Sequence, residues 1–234
     1  MSGTLYGLGV GPGDPELVTL KALRIVKACP VLAYPAPEHG DSLARAIMAP
    51  HLPGGQTEIA IRMPLAADRF PAAAVYADAA ARIDQHLRDG RDVAVLCLGD
   101  PFLYGSFMYL FARLAPCHRT IVVPGVSSIS AGAAALGAPL AARNDVLSVI
   151  PAPLADEEIE VRLAAADAAA IVKLGRHFGR IRALLQRLGL AASARYIEHA
   201  SLPNERARPL TEIDPDTVPY FSLILVHRRG AAWQ

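Results

Sequence analysis

The sequence has few cysteines, few aromatic residues and almost no net charge, and each shortage weakens a class of function. Three cysteines, Cys29, Cys97 and Cys117, stand among 234 residues. Their odd number and their lack of metal-ligand spacing argue against a disulfide scaffold and a zinc site. They predict reduced thiols in a cytoplasm. Aromatic residues make up 6% of the chain and apolar residues 53%. Alanine supplies much of the difference, so closely packed helices are expected rather than bulky aromatic layers. The formal net charge is +1, which provides no field for nucleic acid or an anionic membrane. No apolar run is long enough to span a bilayer, and no charged-then-apolar leader is expected at the start. Repeats of solenoid period and low-complexity linkers are also missing.

What is present is an alternation of strand-like and helix-like segments. Strands are predicted over residues 5–10, 31–34, 58–62, 92–98, 120–123, 147–150, 169–173, 194–198 and 221–226. Helices are expected over 17–28, 42–49 (with Ser42 as cap), 72–89 (stopped by Gly90), 107–113, an Ala-rich stretch to Leu136, 156–165 and 178–188. Strands separated by helices imply a parallel or mostly parallel sheet. Residues 115–119 resemble a link between two α/β halves, 1–115 and 119–234. The polar, proline-rich stretch 203–219 is expected to be an ordered loop or a hairpin.

One segment carries more chemistry than the others. Leu98-Gly99-Asp100-Pro101-Phe102-Leu103-Tyr104-Gly105 follows an apolar strand and precedes a helical run. It therefore turns the chain at the carboxyl edge of a sheet, where open α/β sheets hold ligands. Gly99 removes a side chain that would keep a ligand off the backbone, and Pro101 fixes one torsion. An acid on such a loop is equally a turn former, and Asp100 fits both descriptions. Near the start, Gly7, Gly9, Gly11 and Gly13 follow a first strand, but their spacing is not that of a dinucleotide fingerprint. Pro12 and Pro15 remove amide donors that a pyrophosphate cradle needs.

Taken in order, these motifs resemble the tetrapyrrole methylases. They are Gly9-x-Gly11-Pro12-Gly13-Asp14-Pro15, Gly99-Asp100-Pro101-Phe102, Val123-Pro124-Gly125-Val126-Ser127-Ser128, Pro139-Leu140-Ala141, Lys173-Leu174-Gly175-Arg176, Glu198-His199-Ala200-Ser201 and Pro219-Tyr220-Phe221. The likeness covers essentially the whole chain. Within the family, Ala33-Tyr34-Pro35, Lys173-Leu174-Gly175-Arg176-His177 and Ala200-Ser201-Leu202-Pro203 look most like the branch that acts at C-20 of precorrin-2 in cobalamin synthesis. Uroporphyrinogen methylases end the second strand in Tyr-Asp. Here Pro35 follows Tyr34, so that acid role does not carry over.

The resemblance implies two α/β domains flanking a trough, a homodimer, and methyl transfer from S-adenosylmethionine (SAM), leaving S-adenosylhomocysteine, with no metal. It implies donor-binding positions at Pro12, Leu98, Gly99, Asp100, Leu103, Ser127, Ser128, Leu174 and Ala200. Read from sequence alone, Leu174 and Ala200 are ordinary core, and Ser127 and Ser128 are helix caps. A substrate rich in carboxylates calls for cations, and Arg62, Arg143, Lys173 and Arg176 are candidates, with Arg69 better read as solvated. Tyr34 and Tyr104 are candidates for stacking on a macrocycle or for core packing. Any proton acceptor is sought among Tyr34, Glu198, His177 and His199, and the residues alone do not choose. Two rival readings remain: a sibling methylase acting on a cobalt-bound substrate or another ring carbon, and a non-catalytic SAM- or tetrapyrrole-binding protein.

Overall fold

The computed structural model describes residues 2–63 and 71–231, with residues 71 and 72 described by backbone alone. Arg69 lies outside the described residues. The chain divides into two compact units, Met1–Ser127 and Ser128–Gln234. Each is an α/β domain built on its own five-stranded sheet.

The first sheet is formed by β1 (Leu5–Gly9), β2 (Val31–Pro37), β3 (Thr57–Met63), β4 (Val93–Cys97) and β5 (Thr120–Val123), in the order β3-β2-β4-β1-β5. Every pairing in it is parallel. Helices α1 (Leu20–Ala28) and α2 (Leu43–Met48) cover one face, and α3 (Pro71–Arg88) and α4 (Phe107–Leu114) cover the other. Burial on both faces explains why β4 reads as an unbroken apolar run, all five of its residues being buried. Sequence expectation and structure differ at two places here. Residues Pro15–Leu17 form a separate 3₁₀ turn capped by Asp14, and α1 starts only after Thr19, whose hydroxyl accepts from the Ala22 amide. Strand β2 runs on through Pro35 and Pro37, which a central strand would not tolerate. It pairs with β4 only from Val31 to Ala33, so beyond Ala33 that side of β2 is a free edge where proline loses no ladder bond.

The division between units also falls later than the 115–119 link read from sequence. Strand β5 pairs with β1, from Leu5↔Thr120 to Leu8↔Val123. The non-local register thus assigns β5 to the first sheet, the first unit runs on to Ser127, and local polarity at 115–119 marks the α4–β5 turn.

The second unit contains α5 (Ser128–Ala135), β6 (Leu147–Pro151), α6 (Asp156–Ala165), β7 (Ala168–Val172), α7 (Phe178–Arg187), β8 (Ala194–Glu198), β9 (Arg206–Arg208) and β10 (Ser222–His227). Its sheet order is β6-β7-β10-β8-β9, and it is mixed: β6 and β7 are parallel, while β10 runs against both β7 and β8. The 203–219 stretch takes the hairpin form, because β9 returns antiparallel along β8. Tyr196, Ile171 and Ile224 pack with Phe178, Ile181 and Leu184 of α7 into the core of this unit. Gly132 of α5 approaches Ile197 and Leu223, which belong to the opposite sheet face. Among the described residues no helix is long and apolar enough to cross a membrane.

Candidate active site

The strand order of the first sheet brings three carboxyl ends together, those of β1, β4 and β5. The turns that follow interlock through backbone. Val10 N donates to Cys97 O at 2.9 Å, and Gly99 N donates to Gly11 O at 2.9 Å. A Cβ placed on Gly9 would lie 2.5 Å from Gly125 Cα and 2.7 Å from Gly99 O, distances no side-chain carbon tolerates. The three turns can touch only because Gly9 and Gly125 have no side chains. Gly99 has a different reason to be glycine: its φ is +65°. The nearest atom to a Cβ there would be Val126 O at 3.9 Å, so the space on that side is open.

Asp100 ties the corner together. Its Oδ1 accepts from Phe102 N at 2.9 Å and Leu103 N at 3.1 Å, and its Oδ2 accepts from Gly125 N at 3.0 Å. The turn-forming description of Asp100 therefore holds, and the carboxylate also fastens the β4 turn to the β5 turn. Around it, Pro12 is buried, Leu98 is half-buried, and Phe102, Leu103 and Tyr104 are exposed. Tyr104 adopts a left-handed backbone with φ 55°. Ser127 lies two residues beyond Gly125, and Ser128 opens α5. The structure thus gathers Pro12, Leu98, Gly99, Asp100, Leu103 and Tyr104 at one edge of one sheet.

The second unit gathers another set at the carboxyl ends of β7 and β8. Lys173 (φ 61°), His199 (φ 53°) and Ser201 (φ 65°) all hold left-handed backbone, a conformation that costs a side-chain-bearing residue on the order of 1 kcal/mol or more. His199 N donates to Phe221 O at 2.7 Å, joining the turn after β8 to the entry of β10. Leu174 and Ala200 are buried, while Arg176 is exposed. Glu198 accepts a 2.6 Å bond from the Tyr196 hydroxyl. Burial, then that bond, raises the Tyr196 phenol above its ordinary range. Burial, followed by Arg176 and Arg180, holds the His177 imidazole below its usual value.

Of three further sequence candidates, Tyr34 on β2 and Arg62 near the carboxyl end of β3 belong to the first sheet beyond the glycine corner, and Arg143 belongs to the second unit. The Tyr34 hydroxyl donates to Glu58 Oε2 at 2.6 Å, and Arg45 grips the same carboxylate at 3.0 and 2.9 Å. Arg45, ahead of Tyr34, lowers the Glu58 carboxyl, while burial and then Glu58 raise the Tyr34 phenol. Arg62 donates to Pro37 O and Gly40 O at 3.0 and 2.8 Å, bracing the β2–α2 loop. Arg143 precedes β6, so it sits at the amino edge of the second sheet, opposite Lys173 and Arg176. It flanks a turn in which Ala142 N donates to Asp145 Oδ2 at 2.8 Å. Local motif reading missed Glu58 and Arg45, because the β2–β3 pairing and the packing of α2 set them beside Tyr34. The role of Gly125 was visible only as one letter of a Pro-Gly motif.

The sequence profile of the tetrapyrrole (corrin/porphyrin) methylases matches residues 4–214. The chain belongs to this family. Among curated relatives, cobalamin biosynthesis protein CobIJ of Mycobacterium tuberculosis is 46% identical over 96% of this chain and 46% of its own length. The chain therefore spans about half of that relative. Precorrin-2 C(20)-methyltransferase of a Sinorhizobium species is 38% identical over 96% of this chain and 95% of its own. Cobalt-precorrin-2 C(20)-methyltransferase of Salmonella typhimurium is 37% identical over 98% of both. Among solved structures, uroporphyrin-III C-methyltransferase of Thermus thermophilus complexed with S-adenosyl homocysteine covers 97% of this chain and 98% of its own. Its TM-score is 0.70 at 24% identity, a likeness of fold. This chain's two α/β domains thus match the fold of that solved neighbour.

Proposed function

We infer that this methylase transfers one methyl group from SAM to C-20 of precorrin-2, giving precorrin-3A in cobalamin synthesis. The observation that carries the reading is the interlocked Gly9–Gly99–Gly125 corner at the carboxyl edge of the first sheet, in a chain that belongs to this family. End-to-end likeness to proteins named for precorrin-2 methylation supports this acceptor. The residues suit a bulky neutral-to-cationic donor better than a phosphate. The corner is open at Gly99, and the two amides after Asp100 are already spent on its carboxylate.

When bound, SAM supplies a methyl group already activated by its sulfonium leaving group. The chain's own work is then chiefly positioning, worth up to roughly 7–11 kcal/mol when reacting atoms are held at contact distance in line. In the first unit the donor-holding residues are Pro12, Leu98, Gly99, Asp100, Leu103 and Ser127. In the second they are Ser128, Leu174 and Ala200. Lys173, Arg176 and Arg62 are assigned to substrate carboxylates and Tyr104 to the macrocycle face, while Arg143, at the opposite edge of the second sheet from Lys173 and Arg176, is not. Of these cations, Lys173 and Arg176 are supported by their place just beyond the carboxyl end of β7, and the guanidinium of Arg62 braces a loop. For the proton released after attack, Glu198 is favoured over Tyr34, whose hydroxyl already donates to Glu58. The protein is assigned to the cytoplasm as a homodimer. Its three free cysteines suit a reducing compartment.

The test is methyl transfer from isotopically labelled SAM to metal-free and to cobalt-loaded precorrin-2, read by mass spectrometry. One added methyl on the metal-free substrate is expected, with carbon NMR placing it at C-20. Transfer to the cobalt form alone moves the assignment to the sibling reaction. SAM binding without transfer to either leaves the non-catalytic reading.

A further inference from the structure

We propose that Arg206 and Arg208, on the edge strand of the second sheet, grip carboxylate arms of the tetrapyrrole and so set its selectivity for polycarboxylated substrates. This rests on the reading that the ligand is a tetrapyrrole carrying acetate and propionate groups. The two arginines lie in a stretch that sequence reading left as loop or hairpin.

Four observations carry the proposal. Strand β9 is the outermost strand of its sheet, and all three of its residues are exposed. In register, Arg206 faces Glu198 and Arg208 faces Tyr196, so both guanidinium side chains share a sheet face with Glu198. Arg206 therefore stands at the carboxyl edge where Lys173, His199 and Ala200 are gathered.

Among the described residues neither guanidinium forms an ion pair within 4 Å, although Glu198 and Glu205 lie nearby in sequence and register. Glu198 accepts from the Tyr196 hydroxyl at 2.6 Å, and Glu205 accepts from Ser201 N at 2.6 Å. By contrast, Arg45, Arg187 and Arg229 each hold a carboxylate at 2.9, 2.9 and 2.8 Å. Two guanidiniums with no ion-pair partner among the described residues, two residues apart on one strand, sit about 7 Å from each other. That spacing suits two carboxylate arms on neighbouring carbons of a pyrrole-type ring, each able to take a forked pair of bonds.

Charge on an edge strand also blocks edge-to-edge pairing between sheets. That role predicts aggregation of variants and no change in ligand affinity, so the two can be separated. The probe is uroporphyrin, an octacarboxylate, with its octamethyl ester as the uncharged counterpart. Binding is followed by porphyrin fluorescence on wild type, Arg206→Gln, Arg208→Gln and the double variant. Arg195→Ala, an exposed residue on the opposite face of β8, is the control. Each Gln substitution is expected to weaken uroporphyrin binding by about tenfold, with Arg206→Lys recovering part of the loss. Ester binding, SAM affinity and the Arg195→Ala variant should be unchanged. In turnover, the same variants should raise KM for precorrin-2 and leave kcat within a few-fold of wild type. Unaltered uroporphyrin binding by the double variant, or an equal loss in Arg195→Ala, overturns the proposal. Failure of wild type to methylate precorrin-2, with the fluorescence dependence intact, sinks the functional reading instead.

Discussion

The two carboxyl edges of this molecule solve one problem in opposite ways. In the first unit the turns approach each other by discarding side chains at Gly9 and Gly125, whose backbone meets that of Gly99. In the second unit the turns after β7 and β8 keep their side chains and hold left-handed backbone at Lys173, His199 and Ser201. The first edge is limited by space and the second by torsion. Substitutions in opposite directions should therefore separate them.

The largest effect is expected from Gly125→Val. Its new Cβ would lie 2.7 Å from Gly9 Cα, and backbone cannot move aside as a side-chain tip can. A loss of about 3 kcal/mol is expected, read from the urea midpoint, together with loss of SAM uptake by calorimetry. Near-wild-type stability would show that the β1 and β5 turns are not in contact.

Next comes Asp100→Ala, which leaves the Phe102, Leu103 and Gly125 amides without their carboxylate. A cost of about 2 kcal/mol is expected, accompanied by weaker SAM binding. Asp100→Asn should recover part of both, since an amide oxygen still accepts. Weakened SAM binding with stability untouched would make Asp100 a ligand contact and not the clasp between two turns.

In the second unit the sign reverses. His199→Gly relieves a φ of 53° and should gain about 0.5–1 kcal/mol after glycine's own entropy cost. A loss would mean the His199 side chain contributes more than its backbone strain takes away.

The smallest difference concerns acid. The Ala142 amide, then His227 and Arg229, hold the Asp145 carboxyl below the ordinary aspartate range. A depressed carboxyl contributes stability that is complete above its unfolded value of about 4 and is lost as pH falls through the lower folded value. Wild type should therefore lose more stability than Asp145→Asn between pH 4 and pH 2.5, measured by urea midpoints. Parallel curves would remove this clasp from the second unit's acid response.

The comparison also explains what could be read from the chain in advance. Close approach leaves a compositional trace, because only glycine survives it, and Gly9 and Gly125 carry that trace in the two glycine-bearing turn motifs. Left-handed torsion at Lys173 or His199 leaves none, since surrounding structure imposes it on residues with no preference for it. The same holds for pairing across strands. Nothing near Tyr34 in sequence announces Glu58, and nothing near Glu198 announces Arg206.

By itself the sequence determined where strands and helices lie, since apolar period, caps and turn residues are local quantities set within a few residues. It also determined the family, because several short motifs in fixed order are improbable together. Tertiary structure alone decided the strand order, the transfer of β5 to the first sheet, the antiparallel β10, and which charges are paired. Those depend on residues dozens of positions apart meeting in one register, and no local propensity encodes that meeting.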